Sequence, residues 1–198
     1  MKKILLSFFI IAASCNNQKT DYNNLPLYSK INNIQAVIEI PAGTNHKIEY
    51  NKNELVFRVD KRNGKNRVID FLPYPGNYGF IPSTYSNPKK GGDGDALDIL
   101  VISESLETGT VIEIIPIAVL NLIDDGELDH KIIAVPYKKE LQIISATSFD
   151  KLSSNYPKVK TMIETWFLNY DKSGSSEISG WGNENDALTD IKKWQIND

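Results

Sequence analysis

The chain has 198 residues, 41% of them hydrophobic and 24% charged, which suits one domain with a real core. A formal charge of −3 gives no support to nucleic-acid binding driven by phosphate attraction. The single cysteine, Cys15, excludes an intrachain disulfide and any multi-cysteine zinc site.

In chain order, the first feature is "MKKILLSFFIIAASCNNQ". Two lysines, an apolar run from Ile4 to Ala13 and small residues before Cys15 are the parts of a secretory signal, and the run is too short to span a bilayer comfortably. "AASC" resembles a bacterial lipoprotein signal, although Ala12 stands where leucine is usual. The expected division is a signal over 1–14, a lipidated Cys15 opening a polar tether over 15–30, and one domain over 31–198. That places the protein at the cell envelope by a lipid anchor, or in the cytoplasm if the leader is not processed.

Strands follow. "IQAVIEI" (34–40) alternates, is rich in β-branched residues and ends at Pro41, and "ELVFRV" (54–59) reads the same way. The proline- and glycine-rich stretch 67–90, centred on "PYPGNYGFIP", predicts a structured loop. "DILVI" (98–102), "TVIEIIPIAVLNLID" (110–124, bent at Pro116) and "KIIAVP" (131–136) complete five strands. Helical spacing appears in 155–170, with Pro157 in the first turn, and in 185–194. The sum is a mainly β protein with flanking helices (α+β): an OB-like five-stranded barrel plus two α-helices. Trp166, Trp181 and Trp194 read as core residues, and His46 and His130 as surface groups.

The chemistry concentrates in "GDGDALDILV", where Asp93, Asp95 and Asp98 fall within six positions. Two carboxylates about 5 Å apart repel by roughly 3 kcal/mol at an effective dielectric of about 20, so a fixed loop carrying three needs cations. Asp93 and Asp95 share a face of an extended chain and Asp98 points away, so all three converge only if the glycines let the backbone turn. An EF-hand is rejected: Leu97 stands at a ligand position, and the flanks read as strand. Glu39, Asp124 and Asp129 add further carboxylates. "DDGELDHK" by itself reads as a hairpin with its corner at Asp125-Gly126. Oxygen ligands without histidine or cysteine suit Mg²⁺ or Mn²⁺. Lys47, Arg67, Tyr74, Tyr78, Lys131, Tyr170 and Lys172 add cations and phenols, a combination suited to polyanionic phosphate.

"VIEIP" followed by Lys47 and Glu49, "PYPGNYGFIP", "GDGDALDILV", "DDGELDHKIIAVP" and "WFLNY…GW" occur in the order found in the soluble, magnesium-dependent inorganic pyrophosphatases. The resemblance spans roughly residues 34–194. It implies that Asp93, Asp98 and Asp129 bind metals, with Asp98 bridging two. Asp124 and Asp129 would hold a further metal arriving with pyrophosphate, and Glu39 would bind directly or through water. It also implies that Asp95 assists deprotonation of the attacking water. Lys47, Arg67, Tyr78, Tyr170 and Lys172 would grip phosphate, with Glu49 and Lys131 completing the charge network. A homo-oligomer is expected. Three positions depart from the family: Ala96 replaces a usual proline, Arg62 is an alternative to Arg67, and Asp171 stands where a lysine commonly follows the tyrosine. The rival to hydrolysis is a non-catalytic, lipid-anchored metal- or phosphate-binding module on the same barrel. A second rival is the hydrolysis of a different phosphoanhydride.

Overall fold

The computed structural model describes residues 19–171 and 175–196, so Cys15, Lys172 and the expected signal lie outside the described residues. The strands are β1 Gln35–Ile40, β2 Ile48–Asn51, β3 Val56–Val59, β4 Lys61–Arg62, β5 Lys65–Asn66, β6 Asn77–Phe80, β7 Asp98–Val101, β8 Val111–Asp124, β9 Glu127–Leu128, β10 Lys131–Pro136 and β11 Ser176–Asn183. Among the described residues three α-helices accompany them: α1 Phe149–Asn155, α2 Pro157–Phe167 and α3 Glu184–Trp194. None of the described helices is long and apolar enough to cross a membrane.

The order β1-β6-β7-β10-β8, closed by pairing of β8 with β1, makes a five-stranded barrel. β7 and β10 run parallel and the other neighbours antiparallel. β11 and β9 extend the sheet from the long β8. The strand count matches the expectation, but one member differs. The 54–59 segment supplies β3, which pairs only with β2 in a separate hairpin, and the fifth barrel strand is β6.

β6 lies inside the stretch expected to be loop. Its four residues are all buried, and at Gly79 a Cβ would fall 1.9 Å from the Val37 carbonyl oxygen. Glycine is therefore a packing requirement of the β1–β6 seam. The prolines around it confine the strand to four residues; they do not prevent it. β8 carries Pro116 at a register shift against β10, which is how a residue without an N–H is accommodated inside a sheet.

β10 is buried along its whole length because both faces are covered. Ile132 and Ala134 enter one cluster with Ile38, Ile99, Val119 and the α3 residues Ala187, Ile191 and Trp194. Ile133 and Val135 enter another with Leu100, Ile117, Leu120 and the helical residues Leu152, Ile163, Trp166 and Phe167. The helical expectation over 155–170 resolves into α2, which opens on Pro157 and ends at Phe167. The short α1 had no clear apolar period; it starts on Ser148, whose hydroxyl accepts the Lys151 N–H at 3.3 Å. α3 begins with a capping box between Asn183 and Asp186.

Within the expected tether, the described part packs against the barrel and the β2–β3 hairpin. Leu27 is buried, and the Tyr22 ring stands edge-on to Phe57 at 4.9 Å. The segment is polar in composition, but its few apolar side chains find partners. His130 likewise is not a bare surface group, since its Nδ1 lies 2.7 Å from the largely buried carboxylate of Asp190 on α3.

Candidate active site

The acidic loop 91–97 is pinned on both sides. The Ser86 N–H donates to the Asp95 carbonyl at 2.7 Å, the Gly94 N–H donates to the Ser86 carbonyl at 2.8 Å, and the Leu97 N–H donates to Thr84 Oγ1 at 2.9 Å. Gly94 takes φ +89°, a left-handed value that turns the chain between Asp93 and Asp95. The turn brings Asp93 toward Asp98, the first residue of β7. Asp129 comes from the segment between β9 and β10, placed by a tight corner in which Asp125 and Gly126 both have positive φ.

Carboxylate oxygens of Asp93, Asp98 and Asp129 lie within 4.8 Å of one another. The sequence predicts that Asp93, Asp95 and Asp98 converge if the loop turns; the structure brings Asp93 and Asp98 together with Asp129 and leaves the Asp95 side chain exposed. Lys131, at the start of β10 and only 2% exposed, donates through Nζ to Asp98 at 2.5 Å and also to Asp129. Its ammonium stands 5.8 Å from the centre of the Tyr78 ring and 5.9 Å from that of Phe167. Burial opposes the charge, yet Asp129 and Asp98 hold the ammonium above the usual lysine range. Tyr78, on β6, donates its hydroxyl to Asp98 Oδ2 at 2.5 Å. Burial, followed by the Asp98 charge, pushes its phenol far up, so it acts as a hydrogen-bond donor.

Two adjoining clefts share Lys47 and Tyr78. One, about 260 Å³, is lined among others by Glu39, Asp95, Asp98 and Glu49. The other, about 300 Å³, adds Asp93, Asp124, Asp129, Lys131, Arg67 and Tyr170. Every candidate ligand and phosphate-gripping residue within the described chain therefore faces this one region. Asp95 differs from its neighbours: its side chain is 79% exposed, and among the described residues it is ion-paired with Lys52 at 3.8 Å. Asp124 accepts the Ser176 hydroxyl at 2.7 Å.

Burial raises the carboxyl of Glu39 to about 8, partly offset by the Tyr50 N–H it accepts at 2.6 Å. Burial also raises Asp93 to about 6, again partly offset by a backbone N–H, here that of Asp95. Two acids held toward neutrality beside a carboxylate pair form a donor set short of positive charge. All the donors are hard oxygens, which fits Mg²⁺ or Mn²⁺.

Lys47 reaches Glu49 at 3.2 Å and stays charged despite burial, helped by Tyr74, Glu49 and Asp98. Tyr170 follows the end of α2, its N–H donating to the Trp166 carbonyl at 2.9 Å and its ring stacked on the Trp166 indole at 4.9 Å. Arg67 donates to Asp171 at 2.5 Å, and Arg62 donates to the same carboxylate at 2.8 Å. Both alternatives for the phosphate-binding arginine thus converge on Asp171. Arg67 is the more enclosed, at 18% exposed against 48%. Sequence reading noted Asp171 only as a departure; its role as a shared anchor for two arginines needed the fold. Tyr74 is buried against Trp166, with ring centres 4.4 Å apart.

The family model for inorganic pyrophosphatase matches residues 36–197. Similar proteins include the inorganic pyrophosphatase of Neisseria meningitidis serogroup B, 35% identical over 164 residues, covering 81% of this chain and 85% of the relative. The inorganic pyrophosphatase of Haemophilus influenzae is 36% identical over 169 residues, covering 81% and 89%. Among solved structures, the inorganic pyrophosphatase of Thermus thermophilus superposes with a TM-score of 0.76 at 28% identity, covering 89% of this chain and 97% of that one. That of Neisseria gonorrhoeae gives 0.69 at 34%, covering 83% and 89%. With the family model matched over residues 36–197 and relatives 35% and 36% identical along most of both chains, the chain belongs to the inorganic pyrophosphatase family.

Proposed function

We propose that the double cleft hydrolyses inorganic pyrophosphate to two phosphates by direct attack of water. The observation that carries this reading is the convergence of Asp93, Asp98 and Asp129 across two clefts that share Lys47 and Tyr78, the one holding Asp93 and Asp129 being lined also by Arg67 and Tyr170. Asp93, Asp98 and Asp129, with Asp124 and Glu39 at the margins, would hold divalent cations, Mg²⁺ in the first place. Bound there, the cations would neutralise phosphate charge and lower the pKa of water.

The remaining work falls to the protein's own groups. Lys47 and Arg67, joined by Tyr170 and by Lys172, bind phosphate oxygens and stabilise the charge that moves onto the leaving phosphate. Lys131 screens Asp98 from Asp129 and so keeps two carboxylates side by side. The Tyr78 hydroxyl orients Asp98 and gives a donor at the cleft wall. Asp95, exposed and without a tight partner among the described residues, takes the proton from the attacking water. No covalent intermediate is required.

Release of orthophosphate from pyrophosphate by the purified protein in millimolar Mg²⁺ tests the proposal. No release, with the protein folded and Mg²⁺ present, would sink it; release with Mn²⁺ alone would change the metal and leave the reaction. The same reading includes a lipid anchor at Cys15, a place at the bacterial envelope and self-association. What supports the anchor is the leader sequence alone. Replacing Cys15 and following membrane partition tests it, and sedimentation velocity tests assembly.

A further inference from the structure

The β2–β3 hairpin stands apart from the barrel sheet, and its two strands pair only with each other. Yet it contributes Glu49, Asn51, Lys52 and Asn53 to the cleft, and Lys47 immediately precedes it. What fixes this arm therefore fixes part of the site. Its main tie to β1 runs through Tyr50, whose N–H donates to Glu39 Oε1 at 2.6 Å.

The side chain of Tyr50 is held by the chain's N-terminal segment. The Tyr50 hydroxyl donates to the Thr20 carbonyl at 2.9 Å and accepts the Tyr22 N–H at 3.2 Å. The Tyr22 ring meets those of Tyr50 at 5.4 Å and Phe57 at 4.9 Å, so it touches both strands of the hairpin. Lys19 donates to the Glu54 carbonyl at 2.8 Å, in the turn of the hairpin. The other end of the segment is stitched to the barrel. The Asn23 carbonyl accepts the Ser83 N–H at 2.8 Å, just after β6, and the Ser83 hydroxyl donates to the Leu25 carbonyl at 2.8 Å. Asn23 itself lines the cleft.

We propose that residues 19–23 form a strap that positions the β2–β3 arm, with Tyr22 and Tyr50 as positioning residues for Lys47, Glu49 and Glu39. Neither tyrosine need touch pyrophosphate. The strap bridges the arm to β6, and Tyr50 passes that restraint to the Glu39 carboxylate through one backbone N–H. The segment expected to be only a tether is, on this inference, a working part of the site. The inference rests on the pyrophosphatase reading for its kinetic consequence and on geometry alone for its mechanical one.

Full-length wild type, Tyr22→Ala, Tyr22→Phe and Tyr50→Phe are to be compared in two measurements. In the first, Tyr22→Ala raises KM for pyrophosphate and the half-saturating Mg²⁺ concentration about fivefold to tenfold, while kcat at saturation stays within about twofold. Tyr22→Phe restores wild-type values because it keeps the ring, and Tyr50→Phe falls between because it loses only the hydroxyl bonds. In the second, hydrogen exchange of peptides covering 47–54 in metal-free protein is faster in Tyr22→Ala and normal in Tyr22→Phe, with β10 peptides unchanged. Unchanged KM together with unchanged exchange in 47–54 overturns the proposal, as does a uniform loss of kcat that tracks the fraction folded. Should Tyr22→Ala fail to fold, Tyr50→Phe decides by the same two readouts. A wild type without turnover overturns the pyrophosphatase reading and leaves the exchange measurement to judge the strap.

Discussion

Asp95 is held differently from Asp93 and Asp98, although the three sit within six positions. Asp98 is bonded by Tyr78 and Lys131, and Asp93 accepts the Asp95 N–H at 3.1 Å, whereas the Asp95 carboxylate projects into solvent. Removing its charge therefore disturbs chemistry without disturbing packing. Asp95→Asn is expected to lower kcat by about 10² to 10⁴, the usual worth of a positioned proton acceptor, and to change unfolding free energy by less than about 0.5 kcal/mol. Near-normal turnover would remove Asp95 from the proton transfer. The two arginines divide in a similar way. Arg67 is enclosed and ion-paired at 3.6 Å with Asp60 as well as with Asp171, while Arg62 is half exposed. Arg67→Ala should raise KM for pyrophosphate by about tenfold or more, the loss of one strong charge-assisted contact, and Arg62→Ala by less than about threefold. Equal effects in steady-state assays would show that the substrate meets both.

Strands whose pattern is carried by their own side chains were legible in the sequence. β1, β7, β8 and β10 are β-branched and apolar, and each lies within a residue or two of its expected place. β6 was not legible, because "NYGF" between prolines has neither length nor alternation, and its strand state comes from neighbours on both edges. The segment 54–59 was legible as a strand and supplies β3, but its pattern did not show that it is only half-buried and pairs outside the barrel. β11, with "SEISGWGN", hides its strand character behind two glycines and a register shift against β8. The cost of this reliance on context can be measured at Gly79. A methyl group there would lie 1.9 Å from a main-chain oxygen of β1, so the seam must open. Gly79→Ala is expected to destabilise by at least about 3 kcal/mol in urea titration, at the upper end of overpacking costs. A loss below about 1 kcal/mol would mean that β1 and β6 can slide apart cheaply.

At the scale of the whole molecule, the site draws on residues from Glu39 to Asp171, and their chemical types were readable in the sequence while their contacts were not. No pattern in the chain shows that Lys131 lies between Asp98 and Asp129, or that Tyr50 braces Glu39; those depend on barrel closure. The closed barrel also buries acidic groups at an energetic cost, and that cost has a sign. Burial raises Glu39 from 4.5 in the unfolded chain to about 8 in the native state. Between those values the native state binds a proton that the unfolded state has released, so unfolding free energy falls as pH rises. One full proton corresponds to about 1.4 kcal/mol per pH unit, an upper limit for the slope from this group. Asp93, raised to about 6, acts in the same direction at lower pH. Cation binding requires these carboxyls to ionise, so it releases protons and stabilises the folded state most where the metal-free protein is weakest. Metal-free protein should therefore melt lower at pH 8 than at pH 6, and millimolar Mg²⁺ should remove or reverse that difference. Glu39→Gln keeps the shape without the titration, and its metal-free melting temperature should change less between the two pH values. If wild type and Glu39→Gln show the same slope in scanning calorimetry without metal, the buried carboxyl of Glu39 is not the source of the pH dependence.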